Sequence, residues 1–190
     1  LAALEAGRNR ALPRLAAAAV IFALGIGAGW GIAQRPLPES PAARLAAGEA
    51  QLGSEARIAH AVYTVEVAHP VEVGADQSTH LMTWLSKRLG RVLSAPDLSA
   101  QGFALVGGRL LPAEAGPAAQ LMYEDATGLR VTLYITAMAG DESAFRFSRG
   151  ADGVSSLVWL DGGYGCAISA PMERDRLWPL AEAAYHALSL

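Results

Sequence analysis

The sequence predicts an α+β protein: a single N-terminal transmembrane helix followed by a two-layer domain, with an antiparallel sheet of five or six strands and helices on one face. Three observations predict it. Residues 15–33, LAAAAVIFALGIGAGWGIA, carry no charge and approach the ~20 apolar residues that a bilayer-spanning helix needs. Several segments within residues 62–170, apart from a helical stretch at 76–92, alternate between apolar and polar side chains and are divided by glycine-containing turns. Two amphipathic helical stretches supply a second layer for the sheet.

The run over residues 15–33 has two further interpretations. A nucleotide-binding loop needs a third glycine where this chain has Trp30, and no Walker lysine follows. A cleaved signal peptide has an apolar core of only ~7–15 residues, although Gly-Ile-Ala before Gln34 suits cleavage. The length therefore favours a span. Three arginines precede the run and Arg35 and Arg44 follow it, a bias that favours a cytoplasmic N-terminus.

Glycines in the outer half of the predicted span recur at a spacing of four residues. Gly25 and Gly29 form one pair, and Gly27 and Gly31 form another. Small residues at this spacing share a helix face on which a second helix can approach closely. The spacing predicts a homodimer through the span, although glycine and alanine are also common in spans generally.

The predicted organisation has four parts. They are a cytosolic stem (1–14), the transmembrane helix (15–33), a juxtamembrane linker with a connecting helix (34–61), and an extracytoplasmic α+β domain (62–190). The linker QRPLPESP holds three prolines, which stop helices, and exposed linkers are preferred sites of proteolysis. The alanine-rich helix after it has a poor apolar stripe, chiefly Leu45, Leu52 and Ile58. It is expected to pack on one side only, or to connect the membrane to the domain.

The α+β domain is predicted to consist mainly of strands, with one helix between them and one helix at its C-terminal end. Alternating valines over residues 62–73 predict a first strand, which His69-Pro70 interrupts. Leu81, Trp84, Leu85 and Leu89 share a helix face over residues 76–92, and Gly90 is a plausible stop. FALVGGRLLP predicts the next strand, and turn residues at 126–128, 151–153 and 161–163 predict three hairpins. A closing helix is expected from about Glu173.

Charge and cysteine content exclude several function classes. The chain has 15 basic and 18 acidic residues, and residues 1–33 hold three Arg and one Glu, so the remainder has 12 basic against 17 acidic residues. Such a balance argues against nucleic-acid binding, which uses basic patches. Cys166 is the only cysteine, which excludes an internal disulfide. Its apolar surroundings, GYGCAISA, are typical of a small buried filler.

The histidines are the residues of this sequence that most resemble a set of metal ligands. His60, His69 and His80 are close in sequence, and Glu72 could join His69 and His80. Imidazole suits zinc, copper and nickel, but the spacings match no closed-site pattern. Ordinary roles, beside a bulge and at a helix start, explain His69 and His80 equally well. No metal site and no cofactor are therefore predicted, and these residues stay the candidates for a ligand set.

No arrangement of side chains predicts an enzyme. No serine has a G-x-S-x-G context, and Glu124 and Asp125 are adjacent, so they point to opposite sides of a strand. Gly107, Gly108 and Arg109 form the remaining candidate site. The glycines permit a bulge or a close backbone approach, and the charge inside an apolar strand favours either an ion pair at a sheet edge or an edge that accepts a partner strand.

Four segments together resemble the extracytoplasmic part of bacterial membrane-bound anti-sigma factors. They are HPVEV (69–73), HLMTWLSKRLG (80–90), PDLSAQGFALVGGRLLP (96–112) and LMYEDATGLRVTLYI (121–135). The resemblance covers about residues 60–188 and the preceding span, and GFALVGGRLLP followed by MYED is its most specific part. Such proteins hold an alternative sigma factor through a cytosolic N-terminal domain, often with a His-Cys-Cys zinc motif. This sequence contains neither that domain nor a C-x-x-C, so no sigma-contacting residue carries over.

The resemblance implies a non-enzymatic, single-pass protein of the inner membrane, with its N-terminus cytoplasmic and its C-terminal domain periplasmic. That domain would sense envelope conditions and control release of the sigma factor, in several family members through a regulatory protease. The lipid bilayer, a sigma factor bound outside this chain and such a protease are the expected partners. The alternative is a tethered periplasmic module that binds a metal or a small ligand, which predicts a defined pocket.

Overall fold

The computed structural model describes residues 40–140 and 143–188. The helices in these residues are α1 (Pro41–Tyr63), α2 (Ser78–Leu89) and α3 (Arg174–Leu188), and short 3₁₀ turns cover Ala75–Gln77 and Ser99–Gln101. The strands are β1 (Val73–Gly74), β2 (Phe103–Ala113), β3 (Gly116–Asp125), β4 (Arg130–Ala137), β5 (Arg146–Arg149), β6 (Ser155–Asp161) and β7 (Tyr164–Ala170).

The strands form one sheet in the order β1-β2-β3-β4-β7-β6-β5, with every neighbouring pair antiparallel. The three predicted hairpins are confirmed as the β3–β4, β5–β6 and β6–β7 connections. The predicted number of five or six strands is wrong, because the sheet has seven. The alternating valines before Val73 also do not form a strand: after α1 the chain runs through turns, and only Val73–Gly74 pairs with β2.

Helices cover both faces of this sheet. The side chains of α2 and α3 pack with one face in a large apolar cluster, whereas α1 packs with the opposite face in a smaller one. The domain therefore has three layers, and the predicted two layers with helices on one face are wrong. The central strands show the reason: six consecutive residues, 131–136 in β4, are buried, so both faces of the strand are covered.

The larger cluster, between the sheet, α2 and α3, is the main core. From α2 it contains Leu81, Leu85 and Leu89, the face that the sequence predicts. Gly90, with φ +75°, ends α2 at the predicted stop, and its N–H donates to Ser86 O. Leucines, isoleucines and aromatics make up most of the rest: Leu121, Tyr123, Leu133, Ile135, Leu157, Trp159, Ile168, Leu177 and Leu180. Burying each such side chain contributes about 1.5–3 kcal/mol.

Cys166 lies in the main core and is fully buried. Burial raises the pKa of its thiol far above the ordinary value, because a buried thiolate loses its hydration. A neutral buried thiol behaves as a small apolar side chain, which agrees with the predicted filler role.

The predicted transmembrane helix has no counterpart in the described part of the chain. Between residues 40 and 140 and between 143 and 188, no helix combines the length and the apolar character that crossing a membrane requires. Because helices cover both faces of the sheet, the fold class over the described residues is corrected to a three-layer α/β/α domain. The run predicted to span, residues 15–33, lies outside them.

Candidate functional site

The layer between α1 and the sheet differs from the main core, and we call it the α1 interface. The helix contributes three buried apolar residues to this layer, one leucine and two alanines: Leu52, Ala56 and Ala59. Glycines allow the helix and the sheet to come close together. A Cβ added to Gly165 on β7 would lie 2.5 Å from Leu52 Cδ2, and one added to Gly53 would lie 3.2 Å from Val158 Cγ2. Glycine on the helix and glycine on the sheet therefore let α1 approach the sheet closely at these two points.

Hydroxyl groups line the sheet beneath the C-terminal half of α1. Strand register places Thr132, Ser169, Ser156 and Ser148 side by side across β4, β7, β6 and β5. Ser156 Oγ and Ser169 Oγ are 2.7 Å apart, and Arg57 of α1 donates to Ser148 Oγ at 2.8 Å. Hydrogen bonds therefore fix this half of α1 to a polar row.

His60 of α1 completes the row. Its Nδ1 lies 2.9 Å from Thr132 Oγ1, and the residue is 3% exposed. Burial lowers the pKa of His60 from 6.5 to about 4, and the negative charge of Asp152 opposes this only in part. The imidazole is therefore neutral at neutral pH, and protonating it in place is unfavourable.

A buried carboxylate occupies the first half of the same interface. Glu49 of α1 is 2% exposed and forms an ion pair with Arg146 of β5. Its Oε1 has no hydrogen-bond partner in the described residues. Gln120 of β3 is likewise buried with both amide atoms unpartnered there. Unsatisfied buried polar groups cost about 1–3 kcal/mol each, so these residues weaken the α1 interface.

Arg130 holds the chain that follows α1. Arg130 donates to Thr64 O at 2.8 Å and to Glu66 O at 2.6 Å, and its Nε lies 2.7 Å from Glu124 Oε2. These bonds occupy backbone carbonyls that a strand would otherwise use, which explains why the alternating valines here do not form one.

A groove runs along α1 on the side of the β2–β3 hairpin. A cavity of about 680 Å³ lies between the first half of α1, the β2–β3 turn and the chain after β4, with Leu52, Glu55, Glu114 and Met138 in its lining. A second cavity of about 250 Å³ continues toward Tyr63 and also contacts Glu55. We call the two together the α1 groove.

The predicted metal candidates are not brought together. Within residues 40–140 and 143–188, no group of three His, Cys, Asp or Glu side chains is placed to hold a metal ion. Glu72 instead accepts a hydrogen bond from Leu110 N at 3.1 Å, and the backbone carbonyl of His69 accepts one from Arg109. His80 is exposed on α2.

The predicted partner edge is already occupied by this chain. Val73 pairs with Gly108 and Gly74 pairs with Gly107, so β1 lies along β2 where a partner strand was expected. Gly107, with φ +149°, sits at the register shift between β2 and β3. A partner strand at Gly107 and Gly108 would therefore have to displace β1.

Arg109 makes no ion pair with any residue of the described part of the chain, and its side chain is buried and not exposed at an edge. Its Nη2 donates to His69 O at 2.9 Å, and its guanidinium lies 3.6 Å from the ring centroid of Tyr63. The side chain is buried against the end of α1. The predicted packing face of the span, Gly25, Gly27, Gly29 and Gly31, lies outside the described residues.

Sequence reasoning missed Glu49 and the role of His60, although a signal existed. Leu45, Glu49, Leu52, Ala56 and Ala59 follow one another at intervals of three or four residues, the spacing of one helix face. Ile58, which the prediction placed on the inner stripe, is 63% exposed. A glutamate on an otherwise alanine and leucine face was the available sign of a buried ion pair.

Comparisons of the chain with models of known protein families, with curated proteins and with solved structures find no match.

Proposed function

We propose that residues 41–188 form the extracytoplasmic signal-responsive domain of an anti-sigma factor, and that α1 is the element that leaves the sheet when the signal arrives. The sequence resemblance supports the regulatory role. The difference in composition between the two helix–sheet interfaces supports the choice of α1 as the responsive element. The proposed regulator works by changing conformation and carries out no reaction.

The observation that carries the choice of α1 is the composition of its interface. Helix α2 buries Leu81, Leu85 and Leu89, whereas α1 buries Leu52, Ala56 and Ala59. Each buried methylene contributes about 0.8 kcal/mol, so alanines in place of leucines leave α1 more weakly held. Detaching α1 also returns buried polar side chains to water, which offsets part of the cost.

The position of α1 in the chain suits transmission. It begins at Pro41, which is the last residue of the proline-containing segment QRPLPESP. Cleavage in this segment, or a force along it, acts on α1 before any other described element. A signal then needs only to favour the detached state over the docked one, because a two-state equilibrium responds to any differential interaction.

A buried substitution in α1 with an exposed control tests the proposal. Ala56 is fully buried against the sheet, and Ala61 is exposed on the same helix. Ala56→Asp places an unpaired carboxylate in the interface and should detach α1, so its amides should exchange hydrogen faster while those of β4 and β7 stay protected. Ala61→Asp adds the same charge without burial and should behave as the wild type.

In cells, the proposal expects Ala56→Asp to induce a set of promoters that share one sigma-type element, without stress, as read by transcriptome sequencing. Ala61→Asp should leave those promoters at the wild-type level. If α1 of Ala56→Asp exchanges rapidly and the transcriptome still matches the wild type, the proposed role of α1 is refuted.

A further inference from the structure

The α1 groove has the size of a ligand site and an apolar floor. Its larger cavity, of about 680 Å³, falls in the range of about 300–1,000 Å³ that is usual for small-molecule sites. Leu52 of α1 and Met138 after β4 provide apolar lining, and Ala137 and Ala139 add small side chains. An alkyl chain would therefore replace water over a surface that is mainly hydrocarbon.

Two carboxylates stand on opposite walls of this cavity. Glu55 belongs to α1, and Glu114 to the turn between β2 and β3. The amide of Gln51 donates to Glu114 and, at 3.3 Å, to Glu55 Oε1, and Tyr134 Oη lies 3.3 Å from Glu55 Oε2. Within the described residues, both carboxylates therefore accept hydrogen bonds from neutral donors.

Neither carboxylate has a cationic partner in the described residues. Glu49, Glu124 and Glu173, in contrast, each form an ion pair there. The basic side chains of Lys87 and Arg88 line a separate cavity. Two negative charges beside an apolar surface attract a cation with a hydrocarbon chain, and the same charges repel an anionic amphiphile of equal length.

We propose that the α1 groove binds an amphiphilic cation, with its alkyl chain on Leu52 and Met138 and its cationic head between Glu55 and Glu114. The head takes the position where the amide of Gln51 now links the two carboxylates. Binding by itself is independent of the regulatory role. As a signal it rests on the proposed function, because the ligand lies between α1 and the sheet and therefore biases how α1 docks.

Titration calorimetry on the full 190-residue chain tests the site. The probe is dodecyltrimethylammonium below its micellar concentration, and dodecyl sulfate and dodecyl maltoside are the anionic and neutral comparators. We expect saturable binding of the cation that weakens with added salt, and markedly weaker binding of both comparators. Absence of saturation, or equal binding of dodecyl sulfate, overturns the proposal.

Matched variants locate the binding. Glu55→Gln with Glu114→Gln should weaken binding about tenfold or more, because charge-assisted contacts are lost. Glu66→Gln with Glu182→Gln removes the same charge from exposed positions outside the groove and should leave the affinity unchanged. Equal affinities of the two double variants overturn the assignment.

A second pair of variants does not depend on charge. Ala137→Trp fills the groove at an exposed position and should abolish saturable binding, whereas Ala104→Trp, at an exposed position on β2, should not. Saturation by a hydrophilic oligolysine peptide, without saturation by the alkyl cation, would assign the groove to a peptide and overturn the proposal. Binding without any change in the hydrogen exchange of α1 would support the site and refute its role as a signal.

Discussion

Acidification should loosen α1 through His60, and the structure sets the size of the effect. The imidazole is 3% exposed, and its Nδ1 lies 2.9 Å from Thr132 Oγ1. Burial lowers the pKa of His60 from 6.5 to about 4. In the unfolded chain the imidazole takes up a proton below pH 6.5, whereas in the folded chain it does so only near pH 4.

The sign of the effect follows from proton binding. Between pH 6.5 and about 4 the unfolded state binds one proton more than the folded state, so the free energy of unfolding falls as the pH falls. The stabilising contribution is complete above pH 6.5 and has decreased by about 3 kcal/mol at pH 4, since each pH unit corresponds to about 1.4 kcal/mol. Below pH 4 this contribution no longer changes.

Urea unfolding at a series of pH values measures the effect. His60→Gln keeps a hydrogen-bonding side chain near Thr132 but removes the titration, so the wild type should lose about 3 kcal/mol more than this variant between pH 6.5 and 4. His80→Gln removes an exposed histidine and should follow the wild type. If the wild type and His60→Gln lose stability in parallel, the argument from burial fails.

Three further substitutions test the described contacts by urea unfolding, and the third is also tested by hydrogen exchange. Leu133→Ala should cost about 2–5 kcal/mol, because it leaves a cavity in the main core. Tyr123→Phe should cost about 1 kcal/mol, since the buried hydroxyl donates to Pro96 O at 3.0 Å. Gly107→Ala should destabilise the domain and detach β1, because at φ +149° the added Cβ would overlap Val73 O. The backbone N–H of Glu72 donates to Gly108 O, so detachment of β1 should speed its hydrogen exchange. Slow exchange at Gly108 N–H and at Glu72 N–H would contradict this expectation.

The face of the sheet toward α2 and α3 was predictable because its determinants are local. Leu81, Leu85 and Leu89 recur at helical spacing, and Gly90 supplies the positive φ that ends the helix. The hairpins likewise follow from turn residues between alternating strands: Gly128 and Gly153 both have positive φ. These signals need no knowledge of distant contacts.

The opposite face was not predictable in this way. Alternation of Val131, Leu133 and Ile135 with Thr132 and Thr136 is what a strand with one solvated face shows. Here the threonines are buried, because α1 covers them. Sequence patterns record the polarity of a side chain but not which element lies over it, so a hydroxyl under a helix and a hydroxyl in water give the same pattern.

The candidate site was hidden for a related reason. His60 and Glu49 obtain their properties from β4 and β5, which follow α1 by many residues in the sequence. The contacts with Thr132 and Arg146 are set by the sheet register, which spacing within α1 does not encode. His60 was therefore recognisable as a candidate ligand but not as a buried neutral imidazole.

The incorrect two-layer prediction and the proposed role of α1 have one physical origin. The face of the sheet beneath α1 mixes hydroxyl, amide and small side chains with Leu111, Tyr134 and Val158, and this mixture is why the sequence resembles that of a sheet with one face in water. For the same reason, departure of α1 would leave a sheet still backed by α2 and α3, with Thr132, Ser156 and Ser169 hydrated instead of buried. The main core keeps all its leucines in that state. The proposed role of α1 requires that the first helix leave while this core holds the remaining fold, and a core built between the sheet, α2 and α3 is consistent with that requirement.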